Sequence, residues 1–141
     1  MIKRISKITL SLCLLLSFAI PCFAEFQPDS NRWVWLSSTD TAGIWYDKAT
    51  VNVRNDYGST KVDMWILLYF LQPVERLRKT YWTIDIQNKK LYLAEIYTYN
   101  MDGKLISSKS LHGPGKSVIP DSNGEIIYNV ALQYALPERV R

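Results

Sequence analysis

A chain of 141 residues, 48% of them hydrophobic, is long enough for one ordinary domain and too short for two. The net charge of +4 comes from 17 basic and 13 acidic residues, and three of the basic residues fall within the first seven positions. Without those three the chain is close to neutral. This excludes the clustered basic field that nucleic-acid binding needs, so we predict no nucleic-acid partner.

The first 24 residues predict a secretory signal peptide. A basic start leads into an uncharged apolar run over 8–20, and Pro21 ends that run. We predict cleavage between Ala24 and Glu25, because a small residue before the cut suits a signal peptidase. The alternatives are a membrane anchor, for which the run is too short, and a lipoprotein, for which neither cysteine follows the small residues that lipid attachment needs.

Removal of this segment changes the chemistry available to the rest of the chain. Both cysteines, Cys13 and Cys22, leave with it, so the mature chain has no disulfide, no reactive thiol and no zinc–cysteine site. We therefore expect a protein that is periplasmic or secreted, with surface display left open and no transmembrane helix in the mature chain.

The mature chain predicts a single β-rich domain over 32–141, after a short N-terminal arm over 25–31. The predicted strands are 32–38, 44–47, 51–53, 61–71, 79–86, 91–99 and 105–111, with a charged connection between the fourth and the fifth. The fourth run is apolar on both faces, which is typical of a central strand. The last three strands predict an antiparallel meander, since Asp102-Gly103 is a strong hairpin signal.

The end of the chain predicts one amphipathic helix. Ser122 and Glu125 match a capping box, which satisfies free amides at a helix start. Apolar residues from Ile127 to Tyr134 then recur at the spacing of one helical face, and Pro137 ends the helix. One helix packed against an antiparallel sheet of about six strands gives an α+β fold.

No residue pattern in the mature chain predicts an enzyme, and we expect no catalytic residue, metal ligand or cofactor. The only histidine, His112, falls in a loop without the nucleophile and orienting acid of a catalytic triad. Two carboxylates on one predicted hairpin could do acid–base work if they met. The predicted turn would pair Asp85 with Tyr92. Glu95 would then face Trp82, so we expect the two carboxylates to be offset and solvated.

The aromatic content is the unusual feature of the mature chain, with five tryptophans and nine tyrosines. Aromatic residues dominate both cores and binding hot spots, so we expect most tryptophans in the core and some tyrosines on a binding surface. A basic cluster near the fifth strand, with Lys89 and Lys90 in a neighbouring turn, could contact anionic glycans or membrane phosphates. The candidate binding residues are Tyr57, Tyr92, Tyr97, Tyr99, Arg76, Arg78 and Lys79.

Several short motifs follow one another along the chain in a recognisable order. They are Trp33-x-Trp35-x-Ser37-Ser38, Trp45-Tyr46-Asp47, Trp82-Thr83-Ile84-Asp85 and Ile119-Pro120-x-Ser122-x-x-Glu125. This ordered set resembles the bacterial surface-adhesin protein E family of small exported envelope proteins. The resemblance implies an antiparallel sheet with a C-terminal helix and, for characterised members, an outer-membrane lipoprotein that binds host matrix and serum proteins. The chain lacks the family's cysteine pair and its lipid-bearing cysteine, and no binding residue is carried over.

These observations predict an exported, non-enzymatic binding module of the bacterial envelope, adhesin-like towards host or surface proteins or glycans. The alternative is a periplasmic structural or self-associating envelope protein, for which a homodimer is possible. A contiguous exposed aromatic patch would favour the first hypothesis. A long exposed edge strand would favour the second.

Overall fold

The computed structural model describes residues 26–71, 73 and 75–136, so the predicted signal peptide and its cleavage site at Ala24 and Glu25 lie outside the described residues. The strands are β1 (Trp33–Thr39), β2 (Ala42–Asp47), β3 (Asn52–Asp56), β4 (Ser59–Phe70), β5 (Arg76–Asp85), β6 (Lys90–Tyr99), β7 (Leu105–Ser110) and β8 (Lys116–Ser117), and the helix is α1 (Asn123–Ala135). All strand pairs are antiparallel. The predicted α+β fold is confirmed.

The strands form one sheet in the order β1-β2-β4-β5-β6-β7, with β3 beside β4 and β8 beside β6. The central place of β4 is confirmed. Its first residues pair with β3 and its last with β2 on the same edge, while β5 pairs along the other edge. Val62, Met64 and Ile66 of β4 are almost fully buried on one face. The predicted meander of β5, β6 and β7 is also confirmed.

The helix begins as its capping box predicts, but its predicted apolar face is buried only in part, since Tyr134 is 40% exposed. Ser122 is the N-cap, and its hydroxyl accepts a hydrogen bond from the Glu125 amide at 3.3 Å. Ile127, Tyr128 and Ala131 are buried against the sheet. The Tyr128 hydroxyl also donates to a backbone carbonyl beyond the end of β5, at 3.0 Å. No helix among the described residues is long and apolar enough to cross a membrane.

The hairpin of β5 and β6 differs from its predicted register. Asp85 lies opposite Lys90, and Glu95 lies opposite Tyr81, so the predicted pairs of Asp85 with Tyr92 and Glu95 with Trp82 are wrong. The reason is local, because the Asp85 carboxylate accepts hydrogen bonds from the Asn88 amide and side chain, each at 3.0 Å, and so closes a different turn.

The start of β5 and the strand beside the start of β6 also differ from prediction. Strand β5 begins at Arg76 rather than Lys79, because β4 extends to Phe70 and pairs with it there. The charged run after 74 is therefore part of a strand instead of a connection. The short strand β8, absent from the predicted elements, pairs with Lys90 and Leu91.

Candidate binding site

The helix covers one face of the sheet and leaves the other face open. The helix packs on the face that carries Val62, Met64 and Ile84. Successive side chains of a strand point to opposite faces. Trp65 and its cross-strand partner Tyr81 therefore lie on the other face, here called the open face. Lys79 and Tyr97, which are also partners, share that face.

A cavity of about 290 Å³ lies on the open face, and we call it the aromatic cavity. It is lined by Arg32, Trp33, Asp47, Trp65, Lys79, Tyr97 and Tyr99. These residues come from the turn before β1 and from β1, β2, β4, β5 and β6. Three of the seven predicted binding residues, Lys79, Tyr97 and Tyr99, are thus brought together.

The aromatic side of the cavity is held by ring contacts and one hydrogen bond. The Trp65 ring centroid lies 5.1 Å from that of Tyr81 and 5.9 Å from that of Tyr97. The Tyr97 hydroxyl donates to Glu95 at 3.0 Å, and this hydrogen bond raises the pKa of Tyr97. These contacts fix the orientation of half-buried rings, whose remaining faces are available to a ligand.

The charged side of the cavity is built on one buried carboxylate. Asp47 has no exposed surface, and its Oδ2 accepts from Arg32 Nε at 2.8 Å and lies 2.6 Å from Arg32 Nη2. Its Oδ1 accepts from the Ala49 amide at 3.1 Å. The hydrogen bond and the charge of Asp47 raise the pKa of Arg32, whose side chain is still 53% exposed. The Arg32 charge is therefore locally neutralised while part of its guanidinium faces solvent.

Lys79 has a different environment from Arg32. Its Nζ lies 5.5 Å from the centroid of the Tyr99 ring, within the range of a cation–π contact. It forms no ion pair with any other residue that the structure describes. The acid on the adjacent strand, Glu95, accepts the Tyr97 hydroxyl and does not line the cavity. Lys79 is thus the surplus positive charge of the cavity.

The far end of the open face carries charges that satisfy one another. Arg54 Nε lies 2.7 Å from Asp63, and Arg54 Nη1 lies 3.0 Å from Asp56. Lys61 Nζ contacts Asp56 at 2.9 Å, which together with Arg54 lowers the pKa of that carboxyl. Thr83 donates to Asp63 at 2.6 Å. We interpret this cluster as structural, since each charge has a partner.

The other predicted binding residues lie apart from the cavity. Tyr57 is fully exposed at the tip of the β3–β4 hairpin. The ring of Tyr92 packs over Gly115. Arg78 lies over the Phe70 ring, with 5.2 Å from its guanidinium carbon to the ring centroid. Arg76 and Arg78 share the helix-covered face.

The predicted basic cluster is therefore split. Strand alternation places Lys79 on the face opposite Arg76 and Arg78. The predicted proximity of Lys89 and Lys90 to this cluster is also wrong, because they lie at the far end of β5, where Asp85 pairs with Lys90.

The side chains considered for catalysis are also separate from the cavity. His112 is exposed and lines a second cavity of about 290 Å³ that is mainly apolar, with no serine or carboxylate in its described lining. Asp85 is buried and accepts from the Ser59 hydroxyl at 2.6 Å, so the prediction that this carboxylate is solvated is wrong. No group of three potential metal ligands occurs among the described residues.

Sequence reasoning missed four lining residues: Arg32, Trp33, Asp47 and Trp65. The prediction that most tryptophans form the core is wrong, because none of the five is fully buried and Trp35 is 60% exposed. Trp65 could have been found, since alternation along β4 places it opposite Met64 and beside the strand that carries Lys79. Arg32 and Asp47 carry no comparable signal, because their pairing depends on the β1–β2 register.

Fold and site together define an α+β domain with one helix-covered face and one open aromatic face. Comparison of the chain with protein-family models, with curated proteins and with solved structures found no match. The resemblance to the surface-adhesin protein E family therefore stays a prediction that depends on the sequence motifs alone.

Proposed function

We propose that this chain is an exported, non-enzymatic binding module of the bacterial envelope and that the aromatic cavity is its ligand-binding site. The observation that carries the proposal is the open aromatic face. Trp33, Trp65, Tyr97 and Tyr99 line a single cavity although the same sheet has a helix-covered core available. Partly exposed aromatic surface beside polar groups is typical of sites that bind a partner.

The cavity side chains are positioned in advance of binding. Glu95 holds the Tyr97 hydroxyl, Tyr81 packs on Trp65, and Asp47 fixes Arg32. A site whose side chains are already ordered loses less conformational entropy when a ligand binds. This arrangement suits recognition.

The envelope location rests on the first 24 residues and on the family resemblance. A basic start, an apolar run and a small residue before Glu25 together favour export. The resemblance favours host or surface proteins and glycans as partners. Expression of the full chain in a bacterium tests this location, and we expect the periplasmic form to begin at Glu25 by intact-mass measurement. Retention of the uncleaved chain would contradict it.

A glycan array and immobilised matrix proteins, both probed with the mature chain, test the site. Trp65→Ala should abolish binding to any ligand that scores. Trp35→Ala is the matched control, because Trp35 is an exposed tryptophan outside the cavity lining. Equal loss in both variants, or none in Trp65→Ala, would place the binding surface elsewhere.

A self-associating envelope protein is the second candidate, and strand β7 favours it. All six residues of β7 are exposed at one edge of the sheet, with Ile106 61% exposed. Irregular register at this edge and at the β1 edge weighs against it, since bulges protect edges from pairing. Light scattering on the mature chain decides between them, because edge pairing requires a dimer that Ile106→Lys disrupts.

A further inference from the structure

We propose that the aromatic cavity takes an acidic saccharide, with a sugar ring against Trp65 and Tyr97 and the sugar carboxylate paired with Lys79. This inference rests on the proposed function and adds the chemical class of the ligand. It follows from three properties of the cavity: its charge, its hydrogen-bonding groups and its rings.

The charge of the cavity favours an anion. Its lining includes two cations, Arg32 and Lys79, and one carboxylate, Asp47. The carboxylate is fully buried and is already paired with Arg32. Lys79 therefore contributes a positive charge that no described residue neutralises through an ion pair. A ligand carboxylate beside Lys79 would neutralise this remaining charge.

The hydrogen-bonding groups of the cavity are mainly donors. A guanidinium has five N–H donors, and Arg32 directs the Nε and Nη2 groups to Asp47. A lysine ammonium has three donors, and Lys79 rests above the Tyr99 ring. Donors in surplus require a ligand rich in acceptors. Carboxylate and hydroxyl oxygens of an acidic sugar meet that requirement.

The rings and the size of the cavity favour a sugar ring over a larger flat ligand. The face of an aromatic ring is electron-rich and attracts the C–H groups on one side of a pyranose. A volume of about 290 Å³ lies at the lower end of ligand pockets, which range over roughly 300–1,000 Å³. One sugar unit would therefore occupy the cavity, and the rest of the glycan would extend into solvent.

Two other ligand classes fit the rings and fail on charge. An aromatic cage can hold a quaternary ammonium group, but Lys79 would repel that cation. A proline-rich peptide can dock on aromatic grooves, but it provides no negative charge for Lys79. These ligands are useful as probes, because their binding would count against an acidic sugar.

The test compares an oligogalacturonide with its carboxyl methyl ester, which keeps the sugar ring and removes the charge. Calorimetry on the mature chain should show the acid binding roughly tenfold more tightly than the ester, as one charge-assisted hydrogen bond implies. That preference should shrink in high salt, because the charge pair lies near solvent. Equal affinity for acid and ester, or no binding of either, overturns the proposal.

Variants of Lys79 identify the group responsible. Lys79→Gln should lose roughly tenfold in affinity for the acid with no change for the ester, and Lys79→Arg should restore part of the loss. Lys109→Gln is the matched control, because Lys109 is exposed on β7 and pairs with Ile96 away from the cavity. Unchanged thermal unfolding of all three variants confirms that they fold. Equal affinities of the Lys79→Gln and Lys109→Gln variants for the acid would contradict the inference.

Failure of this inference is distinguishable from failure of the proposed function. If a proline-rich peptide, a choline probe or a matrix protein binds in a Trp65-dependent way while the oligogalacturonide does not, the cavity is a site of another class. That result overturns the acidic saccharide and leaves the binding module intact. If Trp65→Ala changes no binding at all, the proposed site itself is wrong.

Discussion

The helix-covered face and the open face of the sheet are built from the same strands but in different ways. On β4, Met64 is fully buried beneath the helix, whereas the next residue, Trp65, is partly exposed in the aromatic cavity. The covered face uses mainly aliphatic side chains, which fill a closed space. The open face uses rings that cover one another and leave an unfilled volume. The difference shows that two of the five tryptophans, Trp33 and Trp65, lie where a ligand can reach them.

Substitution of the two adjacent β4 residues gives the largest expected difference between the faces. Met64→Ala should destabilise the fold by about 2–5 kcal/mol, because it leaves a cavity in a packed core. Trp65→Ala should cost less than Met64→Ala, since solvent already reaches its ring. Urea unfolding of both variants measures the two losses. A larger loss for Trp65→Ala would mean that the open face is the main core.

The Trp45 indole lies along β2 over Gly43 and covers part of the open face. A Cβ on Gly43 would stand 2.2 Å from a Trp45 ring atom, so Gly43→Ala must displace that ring. We expect a loss of about 1–3 kcal/mol, as for other overpacked sites. Gly113→Ala is the control, because a Cβ there meets nothing within 4 Å. Thermal unfolding and tryptophan fluorescence measure both, and equal stability of the two variants would contradict the covering role of Trp45.

Acid titration tests the contribution of Asp85, a buried carboxylate outside the cavity lining, to the stability of the fold. Burial alone would raise the pKa of Asp85, but hydrogen bonds from Ser59 and Asn88 outweigh it and lower that pKa. This contribution to stability is present above the unfolded pKa of about 4 and is lost as pH falls through the folded value. Ser59→Ala should therefore cost about 1–2 kcal/mol at neutral pH and progressively less in acid.

The control for this titration is Ser107→Ala, an exposed serine of β7. Its free energy of unfolding, measured by urea at several pH values, should follow the wild-type curve throughout. A constant gap between Ser59→Ala and wild type across the acid range would show that the Asp85 carboxylate is not the group involved.

The smallest expected effect concerns the hairpin tip. Tyr57 and Gly58 both have positive φ, 51° and 81°, in a two-residue loop between paired residues Asp56 and Ser59. Such loops favour Asn-Gly, whereas tyrosine is strained there. Tyr57→Asn should stabilise the fold by roughly 0.5–1 kcal/mol and leave cavity binding unchanged. A loss of ligand affinity in this variant would extend the binding surface to the tip.

Several elements could be predicted because their causes are local. The apolar pattern of β4, the Asp102-Gly103 turn and the Ser122 cap each depend on residues close in sequence, and each is confirmed. The predicted register of the β5–β6 hairpin is wrong, although the interaction that sets this register is also short-range. The hydrogen bonds from Asn88 to Asp85 select one turn among several that the sequence allows. Composition alone does not show which of these turns is the most stable.

By itself the sequence determined the α+β class, the central strand, the helix and the surplus of aromatic residues. Only the tertiary structure decided which of those residues meet. Arg32 and Tyr99 line one cavity from opposite parts of the chain, and Lys79 joins them while Arg78 does not. The physical reason is that register and strand alternation together choose the face of each side chain, and a shift of one residue would reverse every choice.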